Sequence, residues 1–138
     1  MQDITSWNDL YYFLKGMCAA QGIDIDLQPH AGMIMSTTDI PDGIKYYMHI
    51  DDNGLSTASI CILILHELGH VAKYIKEYNV FSFVNKYDDM YDEVEASMFM
   101  KDIINTTCIQ VSDYEKKKIR EMISNSKLMQ ELYNSEHE

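Results

Sequence analysis

Long apolar runs are missing from this chain. No stretch approaches the roughly 20 residues that a membrane-spanning helix needs, and the opening MQDITSWNDL has neither the basic start nor the apolar block of a secretory signal. Both absences predict a protein that stays in the cytoplasm without touching a membrane. Basic residues are scarce too, 11 Lys and Arg against 22 Asp and Glu, for a formal net charge of -11. That potential repels phosphate backbones and anionic lipid, so direct binding to nucleic acid or to a membrane is not expected, whereas a basic protein partner is compatible with it. Cysteine is limited to Cys18, Cys61 and Cys108. Three widely spaced thiols make neither a disulfide framework nor a C-x-x-C metal clip and are read as small apolar core side chains. With no internal repeat or low-complexity segment, the 138 residues, 46% of them hydrophobic, read as a single domain, 1–138, with a frayed tail at about 134–138.

What is present is a readable order of elements. Trp7, Leu10, Tyr11, Leu14 and Cys18 recur at helical spacing between a capping Ser6 and a terminating Gly22, which predicts a helix over 6–21. From 23 to 51 the pattern shortens. Pro29, Gly32, Pro41 and Gly43 punctuate runs such as IKYYMHI, where alternation predicts two or three strands, a pair of them joined by the turn at Pro41-Asp42-Gly43. After the polar turn at 51–54, Ser56 or Thr57 can cap a helix running from about 57 to 78. Its first half, ASICILIL, is apolar all round and should cross the middle of the domain. Residues 79–91 read as loop. A helix over 92–106, with Val94, Met98 and Ile104 or Phe99 inward, and a last one over 112–133, with Tyr114, Ile119, Met122, Ile123, Leu128 and Leu132 as its stripe, complete an α+β arrangement.

Within the apolar helix stands His66-Glu67-Leu68-Gly69-His70. Imidazoles and a carboxylate in so greasy a setting lose their hydration, so a hydrogen-bond network or a metal ion must compensate them. Four residues apart on a helix is one turn, which lets His66 and His70 aim two nitrogens at a single metal ion. Glu67, one step further round, can reach the water that a metal ion activates. A zinc ion (Zn2+) held this way lowers the pKa of its water towards ~7, while Glu67 accepts the proton and returns it to a leaving amine, which is the chemistry of a metallopeptidase. A chance match to H-E-x-x-H in a chain of this composition is on the order of one in a hundred, and the helical, buried context argues against coincidence.

A catalytic zinc site takes three protein ligands and keeps one position open, so two histidines are incomplete. No histidine follows within ten residues of His70, which excludes the longer H-E-x-x-H-x-x-G-x-x-H form and leaves a carboxylate from a later helix. DEVEASMFM, residues 92–100, offers Glu95 and Glu93. Glu95, with Met98 and Phe99 three and four positions on, is the expected third ligand. Glu93 and Asp92 read as first-turn acids that favour the positive end of the helix dipole. Metal release from Glu95→Ala or Glu93→Ala would decide between the two glutamates.

HELGH on a helix, followed by Glu93-Val94-Glu95-Ala96 and by Phe99 three residues beyond the alanine, resembles the ImmA/IrrE family of small metallopeptidases. The resemblance spans about residues 44–105. It departs from the family pattern at Ser97, where asparagine or aspartate is usual, and at Met100, where alanine is usual. It implies a gluzincin, zincin-like layout: an N-terminal helix, a small antiparallel or mixed sheet, a zinc helix and C-terminal helices. It further implies zinc on His66, His70 and Glu95, with Glu67 as the catalytic acid and base. Members commonly come from bacteriophages and mobile elements and inactivate a helix-turn-helix repressor, so the resemblance implies a DNA-binding repressor or similar regulator as the protein substrate. A second reading, from a different class, is a non-catalytic zinc-binding module that inactivates such a partner by binding alone. For an oxyanion donor or a residue that orients a ligand, the sequence offers His49 and Asp92, with Asp88 and Asp89 nearby.

Overall fold

The computed structural model describes residues 3–27, 34–36, 46–50, 54–84 and 91–136, with the backbone alone at 24–27, 34–36 and 46–50. Helix α1, Trp7–Ala20, starts where Ser6 accepts a hydrogen bond from the Asp9 amide, and its 3.6-residue spacing buries Leu10, Leu14 and Cys18. Gly22 then takes a positive φ of 79°, a backbone conformation that glycine adopts without strain, and turns the chain into a strand. Strands β1 (Ile23–Leu27), β2 (Ile34–Ser36) and β3 (Tyr46–Ile50) form one mixed sheet in the order β1-β3-β2. β3 lies parallel to β1, with Ile23 opposite Tyr46, and antiparallel to β2, with Ile34 opposite His49. The turn expected at 41–43, together with Asp88 and Asp89, falls outside the described residues.

Helix α2, Thr57–Gly69, is capped by Ser56, whose hydroxyl accepts from the Ser59 amide. Being apolar on every side, it is packed on every side: α1, α3, β3, β4 and α4 all contact it. Cys61, Ile64, Leu65 and Leu68 are wholly buried along it. The sequence reading carries this helix to residue 78, but it stops at Gly69. The chain leaves through His70 and forms strand β4, Ala72–Ile75, antiparallel to β5, Val80–Phe83, where a loop had been expected. Two physical causes are visible. Val71, Tyr74, Ile75, Val80, Phe81 and Phe83 are β-branched or aromatic and suit a pleated surface. Asn79, at φ 52°, supplies the left-handed residue of the connecting turn, where its side chain accepts a 2.6 Å hydrogen bond from the Tyr74 hydroxyl. The hairpin is then fastened to α3 through Phe81 and Phe99, whose rings lie 5.7 Å apart.

Helix α3, Glu93–Thr106, follows Asp92, which caps it by accepting from the Glu95 amide. Ala96, Phe99, Met100, Ile103 and Ile104 point into the core, whereas Met98, expected inside, is exposed. α2 and α3 approach so closely that a Cβ on Gly69 would stand 2.5 Å from the carbonyl oxygen and 2.6 Å from the Cα of Ala96. Glycine at 69 is therefore a condition of this packing, and it draws the two histidines up to the first turn of α3.

Helix α4, Asp113–Glu136, is docked along only part of its length. Ile119 and Ser126 are buried, Met122 and Ile123 pack against the core, and Trp7 donates a 2.9 Å hydrogen bond to Glu115. Tyr114, Leu128 and Leu132, expected on its apolar stripe, are exposed. Burial also divides the cysteines. The Cys18 and Cys61 thiols are pushed up to about 12 by desolvation and are inert core groups, while Cys108 lies exposed rather than in the core. No helix among the described residues is long and apolar enough to cross a membrane.

Candidate metal centre

His66, in the last turn of α2, and His70, just beyond its end, present their rings edge to face with centroids 5.1 Å apart. Only 4% and 9% of their surfaces are exposed. Groups this deep need every polar atom accounted for, and each δ nitrogen has a partner. His70 Nδ1 lies 2.9 Å from the Tyr91 carbonyl oxygen. A carbonyl only accepts, so Nδ1 carries a proton, and in the neutral form of the ring the lone pair lies on Nε2. The Tyr91 amide in turn donates to the His70 carbonyl at 2.7 Å, which pins the segment before α3 to the end of α2.

The same assignment follows for His66 from a longer chain of bonds. Its Nδ1 lies 3.0 Å from the Ser97 hydroxyl, which lies 2.5 Å from the Ser126 hydroxyl, which donates to the Met122 carbonyl at 2.8 Å. A serine has one hydroxyl hydrogen. Ser126 gives its hydrogen to Met122, so Ser97 must donate to Ser126, and His66 Nδ1 must donate to Ser97. The lone pair of His66 is thereby left on Nε2.

Both ε nitrogens face one carboxylate, that of Glu93, with His66 Nε2 3.0 Å from Oε2 and His70 Nε2 3.2 Å from Oε1. With both rings neutral, two nitrogen lone pairs face two carboxylate oxygens, a repulsion that a cation held among them relieves. The arrangement therefore fits a positively charged guest, and imidazole with carboxylate is a donor set that suits first-row divalent metals. His66, Glu67 and His70 each offer a ligand atom within 4.8 Å of the others, a grouping that can hold a metal ion. Burial, the charge of His70 and a partial opposing pull from Glu93 leave the His66 pKa below its ordinary value, so a neutral, metal-ready ring is favoured. Burial, reinforced by the negative charge of Glu93 and moderated by His70, raises the Glu67 carboxyl from 4.5 to about 7. A carboxyl poised there can both take and give a proton at neutral pH.

A different glutamate from the expected one stands beside the histidines. Glu95 is exposed on the outer side of α3 and lines a surface groove of about 1330 Å³ with Lys73, Met98 and Asp102. His66, Glu67, His70 and Glu93 are not among the described residues of that groove. Two residues along a helix is a rotation of about 200°, so Glu93 and Glu95 cannot share a face. The glutamate brought to the histidines is Glu93, and the residues that use the helix terminus are Asp92 as cap and Glu95 as first-turn acid. The Asp92 carboxylate is thus engaged by the Glu95 amide. His49 lies in β3 between Asp26 of β1 and Ile34 of β2, where the backbone alone is described. Ser97, Ser126 and the Tyr91 carbonyl were not anticipated. Ser97 stands one turn beyond Glu93, and Ser126 interrupts the apolar stripe of α4 one turn beyond Met122. A small hydroxyl on an otherwise apolar face is the signal that each offered.

No protein-family model, no curated protein and no solved structure matches the chain.

Proposed function

We propose that this protein is a zinc-dependent metallopeptidase of the zincin type, hydrolysing a peptide bond in a protein substrate. The observation that carries this reading is the convergence of two imidazole nitrogens and a carboxylate on one point, with a second carboxyl poised near neutrality beside them. His66, His70 and Glu93 would hold the metal. Zinc, when bound, supplies Lewis acidity, which eases deprotonation of water and polarises a carbonyl. Glu67 takes the proton from the attacking water and gives it to the departing amine nitrogen. Ser97 and the Tyr91 carbonyl keep the two rings oriented while this happens. The similarity to the ImmA/IrrE family favours a helix-turn-helix repressor as substrate, and the net charge of -11 suits a basic partner of that kind.

The non-catalytic alternative predicts no function for a titratable carboxyl beside the histidines, whereas the peptidase reading requires one. The test is to incubate the zinc-loaded protein with a repressor encoded beside it and to repeat the incubation with Glu67→Gln. New fragments with the parent, at least 100-fold fewer with a Gln variant that still binds zinc, are expected, since general acid-base catalysis contributes ~10²–10⁴-fold. Equal inactivation of the repressor by both proteins without fragments would sink the peptidase reading in favour of binding alone.

A further inference from the structure

We propose that Ser126, far along the chain on α4, is a positioning residue for the metal-facing nitrogen of His66, acting through Ser97, so that full metal affinity requires α4 to be docked. The proposal rests on the metal-centre reading above and goes beyond it by making a third helix part of the site.

The chain of hydroxyls crosses the molecule in one direction. It begins at His66 on α2, passes Ser97 on α3 and Ser126 on α4, and ends at the Met122 carbonyl. Ser97 is fully buried and Ser126 is 2% exposed, so water cannot substitute for either partner. The direction is imposed by its end. A carbonyl accepts only, which commits the Ser126 hydrogen, which commits the Ser97 hydrogen, which obliges His66 to donate from Nδ1.

Removing the Ser126 hydroxyl frees the Ser97 hydrogen in a dry interior. One outlet is His66 Nδ1 itself. Donation there moves the ring proton to Nε2, the atom a metal needs unprotonated. The other outlet open to a helical serine is the carbonyl four residues back, that of Glu93, which draws the Ser97 oxygen away from the ring. Either way His66 presents a poorer ligand, and the loss of a partner that orients a metal-binding histidine typically costs ~10–100-fold in metal affinity. Ser126 makes no contact of its own with His66 in this chain of bonds, so its effect must vanish when Ser97 cannot relay it.

The experiment measures zinc affinity by competition with a chromophoric chelator for the full chain and for Ser126→Ala, Ser97→Ala and the double variant, with circular dichroism confirming the fold of each. Each single variant is expected to bind zinc about 10–100-fold more weakly, and the double variant no more weakly than Ser97→Ala alone. A merely structural role for Ser126 would lower the unfolding temperature and leave the affinity of the folded protein unchanged, which overturns the proposal. So does a double variant whose loss is the product of the two single losses. Should Ser126→Ala not fold, Ser126→Cys, which fills a similar space with a weakly hydrogen-bonding thiol, is read in its place. If the parent protein takes up no zinc, the metal-centre reading itself falls and the proposal with it. If the parent binds and Ser126→Ala binds equally, only the relay is wrong.

Discussion

The two sides of α3 place the same kinds of residue in opposite circumstances. On the inner side Glu93, Ser97, Met100 and Ile104 follow one another at helical spacing and lie against α2 and α4; on the outer side Glu95, Met98 and Asp102 do the same against solvent. Glutamate and methionine occur on both. Their chemistry is set by rotation about the helix axis and not by residue type, and here the difference is whether a carboxylate meets two buried imidazoles or bulk water. The close approach at Gly69 and Ala96 sharpens the contrast, because it brings the backbones of α2 and α3 together beside the inner side.

The strongest way to break this contrast is at its two glutamates. Glu93→Ala removes a carboxylate in direct contact with both ε nitrogens and should weaken zinc binding by on the order of 10³-fold or more, beyond the range seen for outer partners of a metal site. Glu95→Ala should leave zinc affinity within about twofold, because solvent already screens that carboxylate. Chelator competition on the two variants decides the matter. Zinc released only by the Glu95 change would reverse the assignment of sides.

The two methionines carry the same contrast from metal binding into stability. Met100 is wholly buried, and Met100→Ala leaves a cavity in the seam with α2, at an expected cost of about 2–5 kcal/mol. Met98 is 39% exposed, so Met98→Ala should cost under about 1 kcal/mol. Urea unfolding of both variants reads the difference, and equal destabilisation would mean that the outer side of α3 is packed after all.

Much of the inner side was legible in the sequence. The spacing of His66 and His70 and the apolar run ASICILIL follow from local rules and take their expected places, whereas Asp92, read as a first-turn acid, stands just before the helix as its cap. Glu93 against Glu95 was not decided by those rules. Met98 and Phe99 were weighed together as inward neighbours of Glu95, although α3 turns one in and the other out, and that orientation depends on how near α2 can come. The approach is fixed by Gly69 meeting Ala96, a contact between residues 27 positions apart that no local pattern reports. The helix end at Gly69 was hidden for a related reason. VAKYIKEY satisfies a helical spacing, and only pairing with VFSF and the docking of Phe81 on Phe99 make it a strand. Ser126 was the least visible of all, since its partner Ser97 is a hydroxyl of equally ordinary appearance on another helix.

A smaller effect than those of Glu93 and Met100 tests the buried side through Glu67. Its carboxyl is raised from 4.5 to about 7, first by burial and then by the charge of Glu93. An acid whose pKa is higher in the folded state binds its proton more tightly there than in the unfolded chain, so between about pH 4.5 and 7 stability declines as pH rises, and the full penalty applies above about 7. The whole span corresponds to about 3 kcal/mol. Glu67 is half-buried and keeps some water, which reduces the expected penalty to about 1–2 kcal/mol. Glu67→Gln removes the charge without changing the shape. In protein stripped of metal with a chelator, the variant should therefore be more stable than the parent at pH 8 by that amount and nearly equal to it at pH 4.5. Urea midpoints at the two pH values provide the measurement. A gain of the same size at both would trace the effect to packing, and no gain at pH 8 would mean that the glutamate beside His66 is solvated like those on the outer side of α3.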